Sequence, residues 1–284
     1  MKAPSFAYTK PGSIGEVFDL LDRHGDEAKL LAGGQSLLAT LNMRLSSPAL
    51  LIDIGNLPGL SGVTMSGGRL RIGALTTHRT LECSPEIAAH APLLAQAAPH
   101  IAHVAIRNLG TIGGSIALAD PAAEWPACCV ALDAEFILSA RGAERRVKAR
   151  EFFRGLYDTA LGRAELLTAI EVPVLGPDYR SCFLELARRH GDYAITGIAA
   201  VARVRDRQLS DVRLAFLGVG SVPVLARGAM AAVEGKAMGP DRVAAAQAAL
   251  AADLDPVADL TNSAATKLHL SRVLLGRALA ALAG

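Results

Sequence analysis

Two glycine-rich segments hold the residues of this chain best suited to bind a ligand. Loop 1, residues 32–36, follows a short apolar run and contains Gly33-Gly34; loop 2, residues 111–115, contains Gly113-Gly114. Glycine allows positive φ angles and lets a ligand come close to the main chain. A strand–glycine–helix junction can direct several backbone amides at one point, as a phosphate or diphosphate requires. Serine and threonine hydroxyls in both loops add donors.

Neither loop carries a standard nucleotide fingerprint. No Lys-Ser or Lys-Thr follows the glycines, which excludes a P-loop, and neither loop reads G-x-G-x-x-G. A single Gly-Gly pair is usually a structural turn. Two such pairs, each between an apolar segment and a helix, favour a binding site, with purely structural turns as the alternative.

Other reactive side chains give weaker signals. The four cysteines form no C-x-x-C pair, so we expect no zinc or iron–sulfur site and predict buried, reduced thiols such as Cys128 and Cys129. His100 and His103 are three residues apart but lack a third ligand nearby, so no metal site is predicted. His78, beside Thr76 and Thr77, could approach the site, although we expect a surface or helix-capping role. Lys29 precedes loop 1 and could face a phosphate, or point to solvent as isolated lysines usually do.

The composition is that of a globular protein. Among 284 residues, 51% are apolar and 20% charged, and the net charge is +2, without the basic clustering typical of nucleic-acid binding. No apolar run reaches the roughly 18 to 20 residues that span a bilayer. The N-terminal segment has no apolar core of a secretion signal. We therefore expect a cytoplasmic protein without membrane insertion.

The pattern of elements places each loop between a short apolar segment and a helix. Ser13 and Glu16 form a capping box for a helix that Gly25 ends. Asp120 and Pro121 are interpreted as the start of a second helix. The remaining predictions in this part are strands at 30–32, 50–54, 135–140 and 166–172, a hairpin of 63–65 with 70–74, and helices at 37–45 and 92–102.

The pattern of the sequence changes after the predicted linker at 175–178. Three apolar strands are predicted at 183–188, 198–204 and 212–219, and alanine-rich helices at 226–234, 241–251 and 263–283. Strands followed by helices indicate an α+β unit, in which the last helix packs in the core or against a subunit.

Five short motifs together resemble one family over almost the whole chain. They are Leu-Leu-Ala-Gly-Gly-Gln-Ser (30–36), Ile-Gly-Ala-Leu-Thr-Thr-His (72–78), Ile-Arg-Asn-Leu-Gly-Thr-Ile-Gly-Gly-Ser (106–115), Ala-Asp-Pro-Ala-Ala-Glu (119–124) and Ala-Arg-Arg-His-Gly-Asp-Tyr-Ala (187–194). This set is similar to the FAD-binding medium subunit of molybdenum hydroxylases, the xanthine dehydrogenase and aerobic carbon monoxide dehydrogenase family.

The resemblance implies a fold and a set of FAD contacts. The fold is a two-lobed FAD-binding module of the vanillyl-alcohol-oxidase (PCMH) type at 1–175, with lobes at about 1–55 and 56–175, and a small α+β domain with a three-stranded antiparallel sheet at 178–284. Loops 1 and 2 would wrap the diphosphate, Glu124 would reach the adenosine ribose, and Tyr193 would lie near the flavin ring. The full implied set is Lys29, Ala32, Gly33, Gly34, Gln35, Ser36, Leu37, Ile101, Ala102, Thr111, Ile112, Gly113, Gly114, Ser115, Glu124, Leu167 and Tyr193.

The resemblance also implies partners. The chain would bind FAD non-covalently and carry electrons within a heterotrimer, in a dimer of heterotrimers. A small subunit would hold [2Fe–2S] clusters and a large subunit molybdopterin and the substrate. No residue of this chain would be catalytic or bind a metal. A stand-alone flavin oxidoreductase and a non-catalytic nucleotide-binding module are the alternatives.

Two positions depart from the family pattern. Ser115 stands where the second loop often ends in Asn, a change that leaves the backbone donors in place. Leu184 stands where xanthine dehydrogenases carry a Lys near the flavin, so NAD is not implied as the electron acceptor.

Overall fold

The computed structural model describes residues 2–206 and 208–284. Met1, where the predicted first domain begins, and Arg207 lie outside the described residues. Within them, three sheets of three or more strands follow one another along the chain, and the buried apolar residues form three clusters. The fold is α+β, as predicted.

The N-terminal part is a small parallel sheet with two helices. Its elements are β1 (Ala7–Thr9), α1 (Ile14–His24), β2 (Ala28–Leu31), α2 (Leu37–Asn42) and β3 (Leu50–Asp53). β3 lies between β1 and β2 and runs parallel to both. Loop 1 therefore begins where edge strand β2 ends.

Local chemistry explains the bounds of α1. The Ser13 side chain accepts a hydrogen bond from the Glu16 amide at 3.3 Å, and Gly25, at φ +52°, ends the helix. Val17, Phe18 and Leu21 recur at helical spacing and are buried in the N-terminal cluster. The predicted helix is confirmed at both ends.

The middle part is an antiparallel sheet covered by short helices. Its strands are in the order β4-β5-β10-β6-β7, and a further pair, β8 and β9, lies outside it. The elements are β4 (Val63–Ser66), β5 (Arg69–Gly73), α3 (His78–Cys83), α4 (Pro85–His90), α5 (Pro92–Ala97), α6 (Val104–Arg107), α7 (Ile112–Leu118), α8 (Glu124–Ala131), β6 (Glu135–Ala140), β7 (Ala143–Lys148), α9 (Ala149–Phe152), β8 (Phe153–Gly155), β9 (Asp158–Thr159) and β10 (Leu166–Pro173).

Two helices of the middle part differ from their predicted bounds. The helix predicted for 92–102 stops at Ala97 and continues as a 3₁₀ turn over Ala98–His100. The helix predicted to start at Pro121 begins only at Glu124. The carboxylate of Asp120 instead closes a turn, because it accepts from the Ala122 amide at 2.9 Å while its carbonyl oxygen accepts from the Ala123 amide at 3.0 Å.

The C-terminal part contains the three predicted antiparallel strands, β11, β12 and β13, and two additional two-residue strands on β13. Helix α12 buries Leu274, Leu275 and Leu279 in its cluster. No helix of the described residues is long and apolar enough to cross a membrane. The elements are β11 (Tyr179–Leu186), β12 (Thr196–Arg205), β13 (Gln208–Leu217), β14 (Val224–Leu225), α10 (Arg227–Val233), β15 (Lys236–Ala237), α11 (Pro240–Asp253) and α12 (Ala264–Ala283).

Strand β11 packs directly against the middle part. The Gln96 side chain at the end of α5 donates to the Ser181 carbonyl at 3.2 Å and accepts from the Phe183 amide at 3.1 Å. The Gly218 amide donates to the Pro121 carbonyl at 2.8 Å. These bonds hold β11 against the end of α5, and the end of β13 against the turn that follows α7.

Candidate functional site

Loops 1 and 2, far apart in sequence, are in contact. A methyl group added at Gly33 would overlap the carbonyl oxygen of Leu109 and lie 2.7 Å from the Cα of Gly110, just before loop 2. A methyl group at Gly114 would lie 3.9 Å from the Cβ of Ala32. The absence of a side chain at residue 33 is therefore what allows the two loops to approach.

Loop 1 has a run of backbone donors without acceptors. The amides of residues 33–37 donate no hydrogen bond to any part of the chain that the structure describes. Gly34 is at φ +72°, and the Gln35 side-chain amide holds the turn by donating to the Gly33 carbonyl at 3.0 Å. Five consecutive free amides can surround an anionic group.

Loop 2 is different, because four of its five amides, those of residues 112–115, already have acceptors within the described chain. The Ile112 and Gly113 amides donate to the carbonyls of Thr76 and Ala74 at 3.0 and 2.8 Å, which fixes the loop to the end of β5. The Gly114 amide donates to the Thr111 hydroxyl at 3.2 Å, and the Ser115 amide to the Thr111 carbonyl at 3.1 Å. Loop 2 thus keeps the Thr111 and Ser115 hydroxyls for a ligand, and the free amides are concentrated in loop 1.

Arg107 positions the predicted pair Ile101 and Ala102. Its guanidinium is buried and donates to the carbonyl oxygens of both residues, at 3.0 and 2.9 Å. Its other nitrogens donate to the two carboxylate oxygens of Glu82 at 3.0 and 3.2 Å. Ala102 is at φ +42°, an unusual angle for a residue with a side chain. Arg107 belongs to the motif at 106–115, but no role was predicted for it from the sequence.

His78 lies beneath loop 2 and is buried, contrary to the expected surface or capping role. Its Nδ1 accepts from the Trp125 indole at 2.9 Å, and its ring lies against Gly110. Burial, and to a smaller extent the Arg107 charge, lower its pKa to about 4. His78 is therefore a neutral packing residue at neutral pH.

Glu124 and Tyr193 lie near each other, although only Glu124 is buried. Burial and the nearby Asp120 raise the pKa of Glu124 to about 7. Partial burial and the charges of Asp120 and Glu124 also raise the pKa of the Tyr193 phenol. The Tyr193 side chain is 73% exposed, which leaves its ring available for contact with a ligand.

The remaining predicted residues lie at different distances from the loops. Leu167 on β10 is buried in the same apolar cluster as Ile101 and Ile112. Lys29 is exposed on β2 and lines a shallow surface hollow of about 440 Å³ with Asp26 and Glu27, before loop 1. The Lys29 side chain makes no hydrogen bond to loop 1 or to loop 2.

The described residues contain no group of three or more His, Cys, Asp or Glu arranged to hold a metal ion. All four cysteines are free thiols. Cys128, Cys129 and Cys182 are buried, and Cys83 is exposed, which corrects the prediction for that residue.

Comparison with known proteins gives the family of both parts. Residues 4–175 match the FAD binding domain in molybdopterin dehydrogenase, and residues 181–282 match the CO dehydrogenase flavoprotein C-terminal domain. The chain is 39% identical over 281 residues to 6-hydroxypseudooxynicotine dehydrogenase complex subunit alpha of Paenarthrobacter nicotinovorans, covering 99% of this chain and 95% of that one. It is 38% identical over 279 residues to the carbon monoxide dehydrogenase medium chain of Hydrogenophaga pseudoflava, covering 98% and 97%.

Solved structures agree with these relatives. Carbon monoxide dehydrogenase from Hydrogenophaga pseudoflava superposes with a TM-score of 0.97 at 39% identity, covering 99% of this chain and 98% of that chain. Quinoline 2-oxidoreductase from Pseudomonas putida 86 superposes with a TM-score of 0.94 at 34% identity, covering 100% and 98%. The chain therefore belongs to the FAD-binding medium subunits of the molybdenum hydroxylases, the carbon monoxide dehydrogenase and xanthine dehydrogenase family, and is an oxidoreductase subunit.

Proposed function

We propose that this chain holds FAD non-covalently between loops 1 and 2 and passes electrons from [2Fe–2S] clusters of a small partner to an external acceptor. A large partner would carry molybdopterin and the substrate, in a dimer of heterotrimers. The division of the chain at 1–175 and 178–284 is part of the same proposal. FAD supplies redox chemistry that can take electrons singly and release them singly or in pairs.

One observation supports the binding site above the others. Five free amides in loop 1 lie beside a second glycine loop that a close backbone contact holds in place. A diphosphate needs several donors directed at one point, and charge-assisted hydrogen bonds contribute about 1.5–3 kcal/mol each. The donor set fits a dinucleotide diphosphate, whose oxygens can accept from several backbone amides at once.

The other residues would have separate tasks in this site. The hydroxyls of Thr111 and Ser115 would add donors from loop 2. Glu124, when ionised, would accept hydrogen bonds from ribose hydroxyls. Tyr193 would cover one face of the flavin ring, and the turn at Ile101 and Ala102 would border it on another side.

The names of the relatives support a substrate site on a different chain. Relatives of 38–39% identity belong to a carbon monoxide dehydrogenase and to a 6-hydroxypseudooxynicotine dehydrogenase, two enzymes with unrelated substrates. A similar medium subunit in both is expected if this subunit moves electrons and another chain selects the substrate.

A binding titration tests the proposal. The purified full chain, freed of flavin, is titrated with FAD while flavin fluorescence and thermal unfolding are followed. We expect saturable binding, and at a hundredfold excess of FAD over its Kd a gain of about 2.7 kcal/mol in the free energy of unfolding. ADP alone should stabilise the chain less, because it lacks the flavin contacts.

The alternatives give different results. Equal stabilisation by ADP and FAD would favour a nucleotide-binding module. Reduction of the bound flavin by a small-molecule donor in the absence of partners would favour a stand-alone oxidoreductase. A folded chain that rejects FAD under all conditions would contradict the proposal.

A further inference from the structure

The loop that connects β11 to β12, residues 187–195, packs on the middle part. At its base the Ile195 amide donates to the Leu186 carbonyl at 2.8 Å. Ala194 is buried in the apolar cluster of the middle part, whereas its neighbour Tyr193 is 73% exposed. A loop of the C-terminal part therefore carries Tyr193 along the surface of the middle part.

Gly191 lies where this loop meets the turn at Ile101 and Ala102. A methyl group added at Gly191 would lie 2.7 Å from the Nδ1 of His103 and 3.0 Å from the Ala102 carbonyl oxygen. The φ angle of Gly191 is +87°, which glycine adopts without steric cost. The exposed His103 ring can rotate away, but the Ala102 carbonyl is backbone and accepts from the Arg107 guanidinium at 2.9 Å. Only a glycine lets the loop lie this close to that carbonyl.

A second contact of the same loop lies beside the first. The rings of His190 and His100 are stacked, with centroids 6.2 Å apart and planes at 10°. The His100 ring also packs on Phe183 of β11, with centroids 5.3 Å apart, and its Nδ1 lies 3.9 Å from the Oε1 of Glu185. The turn that precedes Ile101 thus contacts both strand β11 and the loop that follows it.

The turn that receives this loop is also connected to the glycine loops. Arg107 on α6 donates to the Ala102 carbonyl and so ties the turn to that helix. Two residues after α6 ends, the carbonyl oxygen of Leu109 is the atom that a methyl group at Gly33 would overlap. A series of direct contacts along a short piece of chain therefore joins Gly191 to loop 1.

The position of the Tyr193 ring depends on the backbone of this loop. Tyr193 is two residues from Gly191, so their Cα atoms lie within about 7 Å of each other. Because the Tyr193 side chain is 73% exposed, few contacts of its own fix its place. The loop backbone is instead held on one side of Tyr193 by Gly191 at the turn, and on the other by Ala194 in the apolar cluster.

We propose that Gly191 is a positioning residue of the FAD site, which seats the loop on the turn at Ala102 and thereby holds the Tyr193 ring where the flavin binds. This inference rests on the proposed function, in which Tyr193 covers one face of the flavin ring. A loop that is already ordered in the free chain loses less entropy on binding, which strengthens binding. Gly191 acts through Tyr193 and does not itself touch FAD.

Two glycine variants of the full, flavin-free chain test this contact by titration with FAD. Gly191→Ala should weaken FAD binding about fivefold, because the loop leaves the turn and must be ordered on binding. It should also increase the fluorescence of the bound flavin, because a phenol ring against a flavin quenches its emission. Gly235 is at φ +67° with nothing within 4 Å of an added methyl group. Gly235→Ala is therefore the matched control, which has similar backbone strain without the contact and should change neither quantity.

A double substitution separates positioning of Tyr193 from a general loss of structure. If Gly191 acts through Tyr193, Gly191→Ala should weaken FAD binding by less than about twofold in a chain that already carries Tyr193→Leu. Equal weakening with and without Tyr193→Leu, or unchanged emission of the bound flavin in Gly191→Ala, would overturn the inference while leaving FAD binding intact. Failure of the unmodified chain to bind FAD would instead overturn the proposed function itself, and the inference with it.

A third variant and a measurement without FAD cover the case in which Gly191→Ala folds poorly. Gly191→Asn also adds a Cβ at the contact, but asparagine adopts positive φ more readily than alanine, so the backbone is less strained. In the FAD-free chain, residues 187–195 should exchange amide hydrogens faster in Gly191→Asn than in the unmodified chain or in Gly235→Ala. Equal exchange of this loop in all three proteins would show that the contact at residue 191 does not hold it, and would contradict the inference.

Discussion

Among single residues, Arg107 connects α3 to the turn at Ile101 and Ala102, although it was not among the site residues predicted from the sequence. It is 5% exposed and joins Glu82 on α3 to the carbonyls of Ile101 and Ala102. A buried charge in such a network is costly to leave without its partner, and loss of one side of a buried ion pair typically costs about 3–5 kcal/mol. Arg79 binds the same carboxylate, but its side chain is 48% exposed.

The two arginines offer a matched comparison. Arg107→Ala should lower the free energy of unfolding by about 3 kcal/mol, because Glu82 and two carbonyls lose their donor. It should also weaken FAD binding, and Arg107→Lys should restore part of both. Arg79→Ala should cost no more than about 1 kcal/mol, as exposed ion pairs do. Denaturant unfolding and FAD titration measure both effects, and equal losses for the two alanine variants would contradict the assigned role.

At the scale of elements, the contact between loops 1 and 2 depends on the room that glycine leaves between their backbones, rather than on side-chain interactions. Loop 1 approaches Leu109 and Gly110 so closely that residue 33 has no room for a Cβ. Gly113 approaches Ala74 in the same way, because a methyl group added at Gly113 would lie 2.6 Å from the Ala74 carbonyl oxygen. The obstacles are backbone atoms and the Cβ of Ala74, none of which can rotate away. The loops are therefore held by the positions of β2, β5 and α6.

A glycine substitution tests this contact. Gly33→Ala should separate the two loops, lower the free energy of unfolding by about 1–3 kcal/mol as overpacking does, and weaken FAD binding at least tenfold. Gly15→Ala, where the nearest atom is 3.8 Å away inside α1, is the control. It should leave FAD affinity unchanged and stabilise the chain by up to about 1 kcal/mol. Unchanged FAD affinity in Gly33→Ala would show that the loop contact does not support binding.

In the whole molecule, the three apolar clusters differ in size. The N-terminal cluster around β1, β2 and β3 is the smallest, whereas the middle and C-terminal clusters are joined at β11. Local opening is easiest where few buried apolar contacts hold a segment. The free amides of loop 1 belong to this least supported part.

Hydrogen–deuterium exchange tests this view of the molecule. In the FAD-free chain, residues 28–54 should exchange faster than β12 and β13, because the N-terminal cluster is small. Addition of FAD should slow exchange mainly at residues 32–37, where amides gain acceptors, and in β2. Protection confined to the C-terminal helices would contradict both the site and the relative stability of the three parts.

The sequence by itself determined the features that depend on near neighbours. The Ser13 cap and Gly25 define α1, because both act within one turn of the helix. The glycine pairs predicted both loops. The pattern of apolar residues predicted the antiparallel strands of the C-terminal part. The motifs indicated the family, since each is a short continuous segment. None of these inferences required knowledge of distant contacts.

Only the tertiary structure decided which groups in the site are free and which are paired. The Ile112 and Gly113 amides of loop 2 donate to the carbonyls of Thr76 and Ala74, which lie far from them in the sequence. The Glu185 carboxyl group lies 3.9 Å from the His100 ring only because β11 packs on α5 and the turn that follows it. Hydrogen bonding, burial and charge coupling depend on distance in space, which local sequence patterns do not contain.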